Sequence, residues 1–118
     1  MIVDVSQLGI VHTFILLIIA HVFGDYVFQS EFMALGKNPL KPLPNTPYGW
    51  PLTAHSIVHA SLVLMILGDL RASFLELISH WIIDYSKCTG KFNGYTVSAF
   101  TIDQSLHIFI MFILAVIF

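Results

Sequence analysis

The chain contains four pairs of metal-competent side chains spaced four residues apart: His21 and Asp25, His55 and His59, His80 and Asp84, and Asp103 and His107. On a helix, residues at i and i+4 share a face one turn apart, so each pair can aim two donors at one centre. Five of the six histidines and three of the seven acidic residues fall in these pairs. A lone histidine in an apolar helix is more often a hydrogen-bonded core residue, but a fourfold recurrence at one spacing points to metal binding. Imidazole and carboxylate donors without thiolate suit zinc, the commonest choice, and also manganese, iron or nickel. Eight donors exceed what one tetrahedral ion uses. They suit two divalent ions about 3.5 to 4 Å apart, with carboxylates between them. Cys88 is the only cysteine, which excludes an internal disulfide and a cysteine-based zinc cluster.

The elements that must position these pairs are apolar. Of 118 residues, 57% are hydrophobic and only 10% are charged, with a mean hydropathy of +0.84. A soluble domain is about 25% charged, so this chain cannot cover a water-facing surface and is expected in a lipid bilayer. The pairs lie in four apolar stretches, 8–27, 53–67, 70–85 and 101–118. The first matches the roughly 20 residues that cross a bilayer; the others are shorter, which local thinning accommodates. Lipid-exposed spans of this kind must be helical, because their backbone groups find no water. No Lys or Arg precedes the first stretch and no small-residue cleavage site follows it, so it reads as a retained helix rather than a signal peptide. The expected fold is an all-α, polytopic four-helix membrane bundle. A single domain spans 1–118, with helices at about 8–29, 53–67, 70–86 and 101–118 and short connections. One Pro-rich loop over 36–51, GKNPLKPLPNTPYGWP, carries all five prolines and reads as an ordered cap.

Depth sharpens the expectation. The pairs sit near the C-terminal ends of the first and third stretches and near the N-terminal ends of the second and fourth. Antiparallel neighbours therefore bring all four to one side. Within each pair one residue lies deeper by a turn, roughly 6 Å. The deep layer is His21, His59, His80 and His107; the shallow layer is Asp25, His55, Asp84 and Asp103. Lys37, Lys41, Lys87 and Lys91 lie on that side, against Arg71 and the terminal amine on the other, so the positive-inside rule puts the site at the cytoplasmic face. Five scattered Lys and Arg and a net charge of -2 exclude the electrostatic footprint of a nucleic-acid binder.

Other polar residues carry two readings each. His12 lies about 900° of helix before His21, on the opposite face, and is assigned a structural or interfacial role. Glu76, four residues before His80, either orients that imidazole or sits at the far interface beside Arg71. Gln29 continues the His21 and Asp25 stripe and Gln104 neighbours Asp103; both are placed to hydrogen-bond ligands or substrate, with a polar interfacial role the more expected one for Gln104. Lys87 stands three residues after Asp84, where an ammonium attracts phosphate or merely anchors a helix end. Tyr48, Trp50, Trp81 and Tyr85 read as an interfacial aromatic belt.

The segments HVFGDYVFQSEFMA at 21–34, HSIVHA at 55–60, HWIIDYSK at 80–87 and DQSLH at 103–107 resemble the domain-of-unknown-function family 3307, small integral membrane proteins of bacteria and their phages. The resemblance covers nearly the whole chain and implies a fold more than a chemistry. It also implies residence in a bacterial inner membrane, in a host-encoded or phage-encoded protein. A looser likeness in intramembrane HxxxD and HxxxH pairs is to membrane-bound metal-dependent hydrolases. The leading functional expectation is a metal-dependent hydrolase of phosphoesters, acting on a lipid headgroup or a phosphorylated small molecule, with Asp25, Asp84, Asp103 and Lys87 as catalytic groups. The alternatives are a divalent-metal transporter or sensor, which needs polar residues through to the other face, and a small phage-type membrane protein acting by assembly, which needs no ligand array.

Overall fold

A computed structural model describes residues 9–118. The start of the first helix at residue 8 lies outside the described residues, as does the terminal amine. Helix α1 (Ile10–Val22) opens without a side-chain cap and runs directly into one turn of π-helix, Phe23–Val27, closed by Phe28 N donating to Phe23 O at 2.9 Å. Ser30 then caps a short helix α2 (Glu31–Gly36), its Oγ accepting from Met33 N. Three long helices follow: α3 (Gly49–Leu67), α4 (Leu70–Cys88) and α5 (Ala99–Ile117).

Helix boundaries depart from the sequence expectation for local reasons. The helix expected over 8–29 is interrupted by the π turn and ends before Ser30. Helix α3 starts at Gly49 rather than 53, because Pro51 falls in its first turn, where no intrahelical donor is needed. The Pro-rich loop is correspondingly shorter at both ends. Gly36 packs so closely on it that a Cβ there would meet Pro51 Cγ at 2.9 Å and Leu43 Cδ1 at 3.2 Å. The α3–α4 connection is the expected tight turn. Gly68 adopts φ 66° and returns its N–H to Leu64 O, and Asp69 caps α4 through Arg71 N and Ala72 N. The Arg71 guanidinium on Asp69 holds that carboxyl down at about 2. Ser98 caps α5, starting it two residues earlier than expected.

The four long helices close in the order α1, α3, α4, α5 and back to α1. The α3–α4 hairpin is tied across by Ser73 Oγ donating to Ala60 O at 2.7 Å and Trp81 Nε1 donating to Thr53 Oγ1 at 3.2 Å. The interior divides in two. One half is an apolar plug of Leu17, Val63, Leu67, Ala72, Met111, Leu114 and Ala115, edged by a T-shaped Phe14–Phe112 pair. The other half is polar: His21, His55, His59, His80, His107, Glu76, Asp84 and Asp103 are all buried. Outside, the pattern reverses. Ile15, Ile19, Ile57, Phe74, Ile82, Phe109 and Val116 are among many exposed large apolar side chains. A water-soluble protein has the opposite arrangement; an apolar exterior around a polar interior fits lipid as the surrounding medium. Three segments, Ile10–Val27, Gly49–Leu67 and Ala99–Ile117, are long and apolar enough to cross a membrane. Helix α4 has the length but carries Arg71, Glu76, Asp84 and Lys87 and falls outside that group.

Leu17 is fully buried at the centre of the plug. Lipid tails are as apolar as the core, so Leu17→Ala forfeits packing more than transfer energy, and about 2 kcal/mol, the low end for such truncations, is expected. Thermal unfolding in detergent should show a lowered Tm. An unchanged Tm would mean that the plug does not hold the helices together.

Candidate metal centre

All eight residues of the four sequence pairs arrive in one place, at the polar half of the interior. The deep imidazoles form a closed ring. His59 stacks on His80 at 3.8 Å between centroids and His80 on His107 at 4.2 Å, while His21 meets His107 at 5.0 Å and His59 at 5.1 Å. His55 lies over this ring, 4.8 Å from His59 and 4.9 Å from His80.

Two carboxylates connect the ring. Asp25 sits on the π turn, and its Oδ1 faces His59 Nε2 at 2.9 Å, His55 Nε2 at 3.2 Å and His80 Nε2 at 4.0 Å; its Oδ2 faces His21 Nε2 at 3.3 Å. Asp84 turns Oδ1 to His107 Nε2 at 3.1 Å and Oδ2 to His55 Nε2 at 3.4 Å and His80 Nε2 at 3.6 Å. Asp103 Oδ1 lies 3.4 Å from His107 Nε2. Three groups place one donor atom per residue within metal-binding reach of one another: Asp25 with His55, His59 and His80; His21 with His80 and His107; and Asp84 with Asp103 and His107. These His/Asp clusters can hold a metal ion.

The π turn matters for this geometry. Single π turns insert a residue into a helix and are frequent at functional sites. Here the turn presents Asp25 inward and leaves Gly24 flat against α3, where any Cβ would overlap the His59 ring. Close approach, rather than backbone conformation, requires glycine at this position.

The polar atoms are incompletely satisfied from within the chain. His80 Nδ1 is hydrogen-bonded to Glu76 Oε1 at 3.1 Å, and with the ring proton on Nδ1 the Nε2 atom presents a lone pair toward carboxylate oxygens. Among the described residues His80 Nε2, both nitrogens of His55, His21 Nδ1 and Asp103 Oδ1 are buried without a hydrogen bond. A buried polar atom without a partner costs about 1 to 3 kcal/mol, and lone pairs that converge are satisfied together by a cation.

Several residues take roles that spacing alone left open or assigned otherwise. Glu76 is fully buried on His80 and orients it, rather than lying beside Arg71 at the far interface. Gln104 is a correction. It is no interfacial residue but joins three elements, its Nε2 donating to Asp25 Oδ2 at 2.9 Å and Asp103 Oδ2 at 3.0 Å while its Oε1 accepts from Tyr26 Oη and His21 Nε2. Lys87 Nζ is 3.3 Å from Asp103 Oδ2 and partly exposed. Lys37 was counted only as a loop charge, yet it is buried, with Nζ 2.8 Å from Asp84 Oδ2 and 2.7 Å from Gln29 Oε1. His12 is exposed on the outer face, away from the cluster, as expected. Tyr48, Trp81 and Tyr85 pack together beside the polar half, and Lys91 lies over the Tyr85 ring.

The fold and this cluster define a class: a small all-helical protein, apolar outside, whose interior holds a His/Asp group fit for metal. Residues 13–118 match the family model described as protein of unknown function (DUF3307), and the chain belongs to that family. No match to a curated protein or to a solved structure was found.

Carboxylates that orient a ligating imidazole typically contribute 10- to 100-fold in metal affinity. Glu76→Gln keeps the volume and removes the charge, so zinc affinity measured by chelator competition should fall at least about 10-fold. An affinity equal to the parent's would place Glu76 outside the metal's support.

Proposed function

We propose that the chain is a membrane-embedded metal-dependent hydrolase, acting on a phosphoester of a lipid headgroup or of a phosphorylated small molecule. The observation that carries this reading is the convergence of eight donors, seven of them buried and several with atoms that lack a hydrogen-bond partner among the described residues, next to the partly exposed side chains of Tyr26, Gln104 and Lys87. Asp25 is the most exposed of the ligand carboxylates, at 11% of its side chain against 2% for Asp84 and 1% for Asp103. Gln104 Nε2 donates to Asp25 Oδ2 and to Asp103 Oδ2, Tyr26 Oη donates to the same amide, and Lys87 stands on Asp103. In this reading two divalent ions, zinc first among the candidates, are held by His21, Asp25, His55, His59, His80, Asp84, Asp103 and His107. Such ions lower the pKa of a bound water and stabilise charge on phosphoryl oxygens.

The chain's own groups supply the remainder. Asp25 and Asp84 each reach imidazoles of more than one helix and would hold metal together with them. Asp103, hydrogen-bonded to Gln104 at the rim, is placed to take a proton from an attacking water. Lys87 offers an ammonium to the substrate's anionic oxygens. The exposed apolar exterior and the aromatic cluster at Tyr48, Trp81 and Tyr85 support four spanning helices with the site near one interface, and the lysine distribution supports the cytoplasmic face of a bacterial inner membrane, whether host or phage encodes the protein. An amphipathic substrate reaches such a depth from the lipid.

A transporter uses the same ligands but needs a polar path to the far side. Below the histidine ring the interior is the apolar plug of Leu17, Val63, Met111 and Leu114, which favours chemistry at a closed-ended site over passage through it. A role by assembly alone leaves eight converging polar side chains, seven of them buried, without a purpose.

The decisive experiment combines elemental analysis with hydrolysis of phosphoester substrates by the purified protein in nanodiscs. His80→Ala should remove both bound metal and activity; Asp103→Asn should retain the ion held by Asp25, His55, His59 and His80 and lose activity by about 100-fold or more, the scale of one general base. Full metal content in His80→Ala, or unchanged turnover in Asp103→Asn, would sink the assignment.

A further inference from the structure

The two lysines of the site do not lie evenly over it. Lys37 Nζ sits on Asp84 at 2.8 Å and Lys87 Nζ on Asp103 at 3.3 Å, so both cover the carboxylates of one cluster, Asp84, Asp103 and His107. The other cluster, Asp25 with His55, His59 and His80, has no ammonium on its carboxylate among the described residues. It also contains the unpartnered, fully buried Nε2 atoms of His55 and His80. The two halves of the centre are therefore electrostatically unlike.

Charge decides what each half accepts. Uncompensated charge is expensive in an apolar interior, and more so within a bilayer. Around the first cluster the carboxylates are Asp25, Glu76 behind His80, and Asp84, whose Oδ2 also faces His55 and His80. Lys37 sits on Asp84 and Lys87 on Asp103, which leaves Asp25 and Glu76, once ionised, to match one divalent cation. Around the second cluster the charges of Asp84 and Asp103 are already matched by those two lysines. A divalent ion placed there adds two positive charges with nothing to balance them, unless the lysines are discharged elsewhere or an anion enters.

We propose that the protein holds one resident divalent ion at Asp25, His55, His59 and His80, and admits a second at Asp84, Asp103 and His107 only together with an anionic, phosphate-like ligand. This rests on the metal reading above and deepens it. The entering anion draws the ammonium groups off Asp84 and Asp103, frees those carboxylates as ligands, and supplies the negative charge that the second ion needs. Lys87 is partly exposed, at 28% of its side chain, and Lys37 is buried at 7%. Lys87 thus meets the anion first, while Lys37, on the segment leading into the Pro-rich loop, covers Asp84 from the inside. Cation and anion binding are then reciprocally linked, each raising the affinity for the other.

The test is equilibrium dialysis of the full chain in nanodiscs against buffered zinc, with and without inorganic phosphate, counting ions per chain against a protein-free chamber. The expected result is one ion per chain without phosphate and two with it. Lys37→Met and, as a separate variant in case the first does not fold, Lys87→Met should take up more than one ion per chain without phosphate, because each removes a compensating charge. Two ions per chain in the parent without phosphate, a count that phosphate does not change, or lysine variants that stay at one ion would each overturn the proposal while leaving the metal reading in place. No bound ion under any condition would overturn both.

Discussion

Converging lone pairs in an apolar environment are the constraint on which the rest of this structure depends. Five imidazoles and two aspartates are buried together, with Asp25 at their edge, and several of their nitrogen and oxygen atoms find no hydrogen-bond partner among the described residues. Polar groups inside a membrane protein are costly and persist where they serve a function. A hydrogen-bond network alone resolves part of the cost, as His59 to Asp25 and His107 to Asp84 show. It does not resolve His80, whose Nδ1 is committed to Glu76 and whose Nε2 faces oxygens that also accept. A cation at the centre satisfies these atoms at once.

The surrounding fold serves that centre. The two hairpin halves use parallel solutions: the aspartate that follows a histidine by four residues is met by ligands from the next long helix, Asp25 by His55 and His59 of α3 and Asp84 by His107 of α5. The π turn and Gly24 bring Asp25 against α3. The apolar plug closes the opposite half, and the loop from Lys37 to Tyr48 leans on the start of α3 through Gly36 and Pro51. The result is a centre whose more exposed neighbours are Tyr26, Gln104 and Lys87.

Much of this is legible in the sequence because helical geometry maps spacing onto space. The four pairs, their alternation between helix ends and the placement of Glu76 one turn from His80 all follow from 3.6 residues per turn. What is not legible depends on irregular backbone or on long side chains. Lys37 reaches Asp84 only because the chain leaves α2 in a particular direction, and no period encodes that path. Gln104 follows Asp103 by one residue, which suggests a different face, yet its side chain spans the gap to Asp25 and Tyr26. The π turn at FGDYV has no compositional marker, and Pro51 reads as a breaker until its position in a first turn is known. The three apolar spans were legible from composition; α4 is less so, since the residues that build the site lower its hydropathy.

The central claim is that these buried imidazoles and carboxylates are ligands to a metal ion. X-ray absorption at the metal edge of protein purified without chelator tests it most directly. The account predicts a first shell of nitrogen and oxygen at about 2.0 to 2.2 Å, with outer scattering from several imidazoles and no sulfur at the longer thiolate distance. A spectrum without a metal edge, or a shell containing the Cys88 sulfur in place of imidazole, would contradict it.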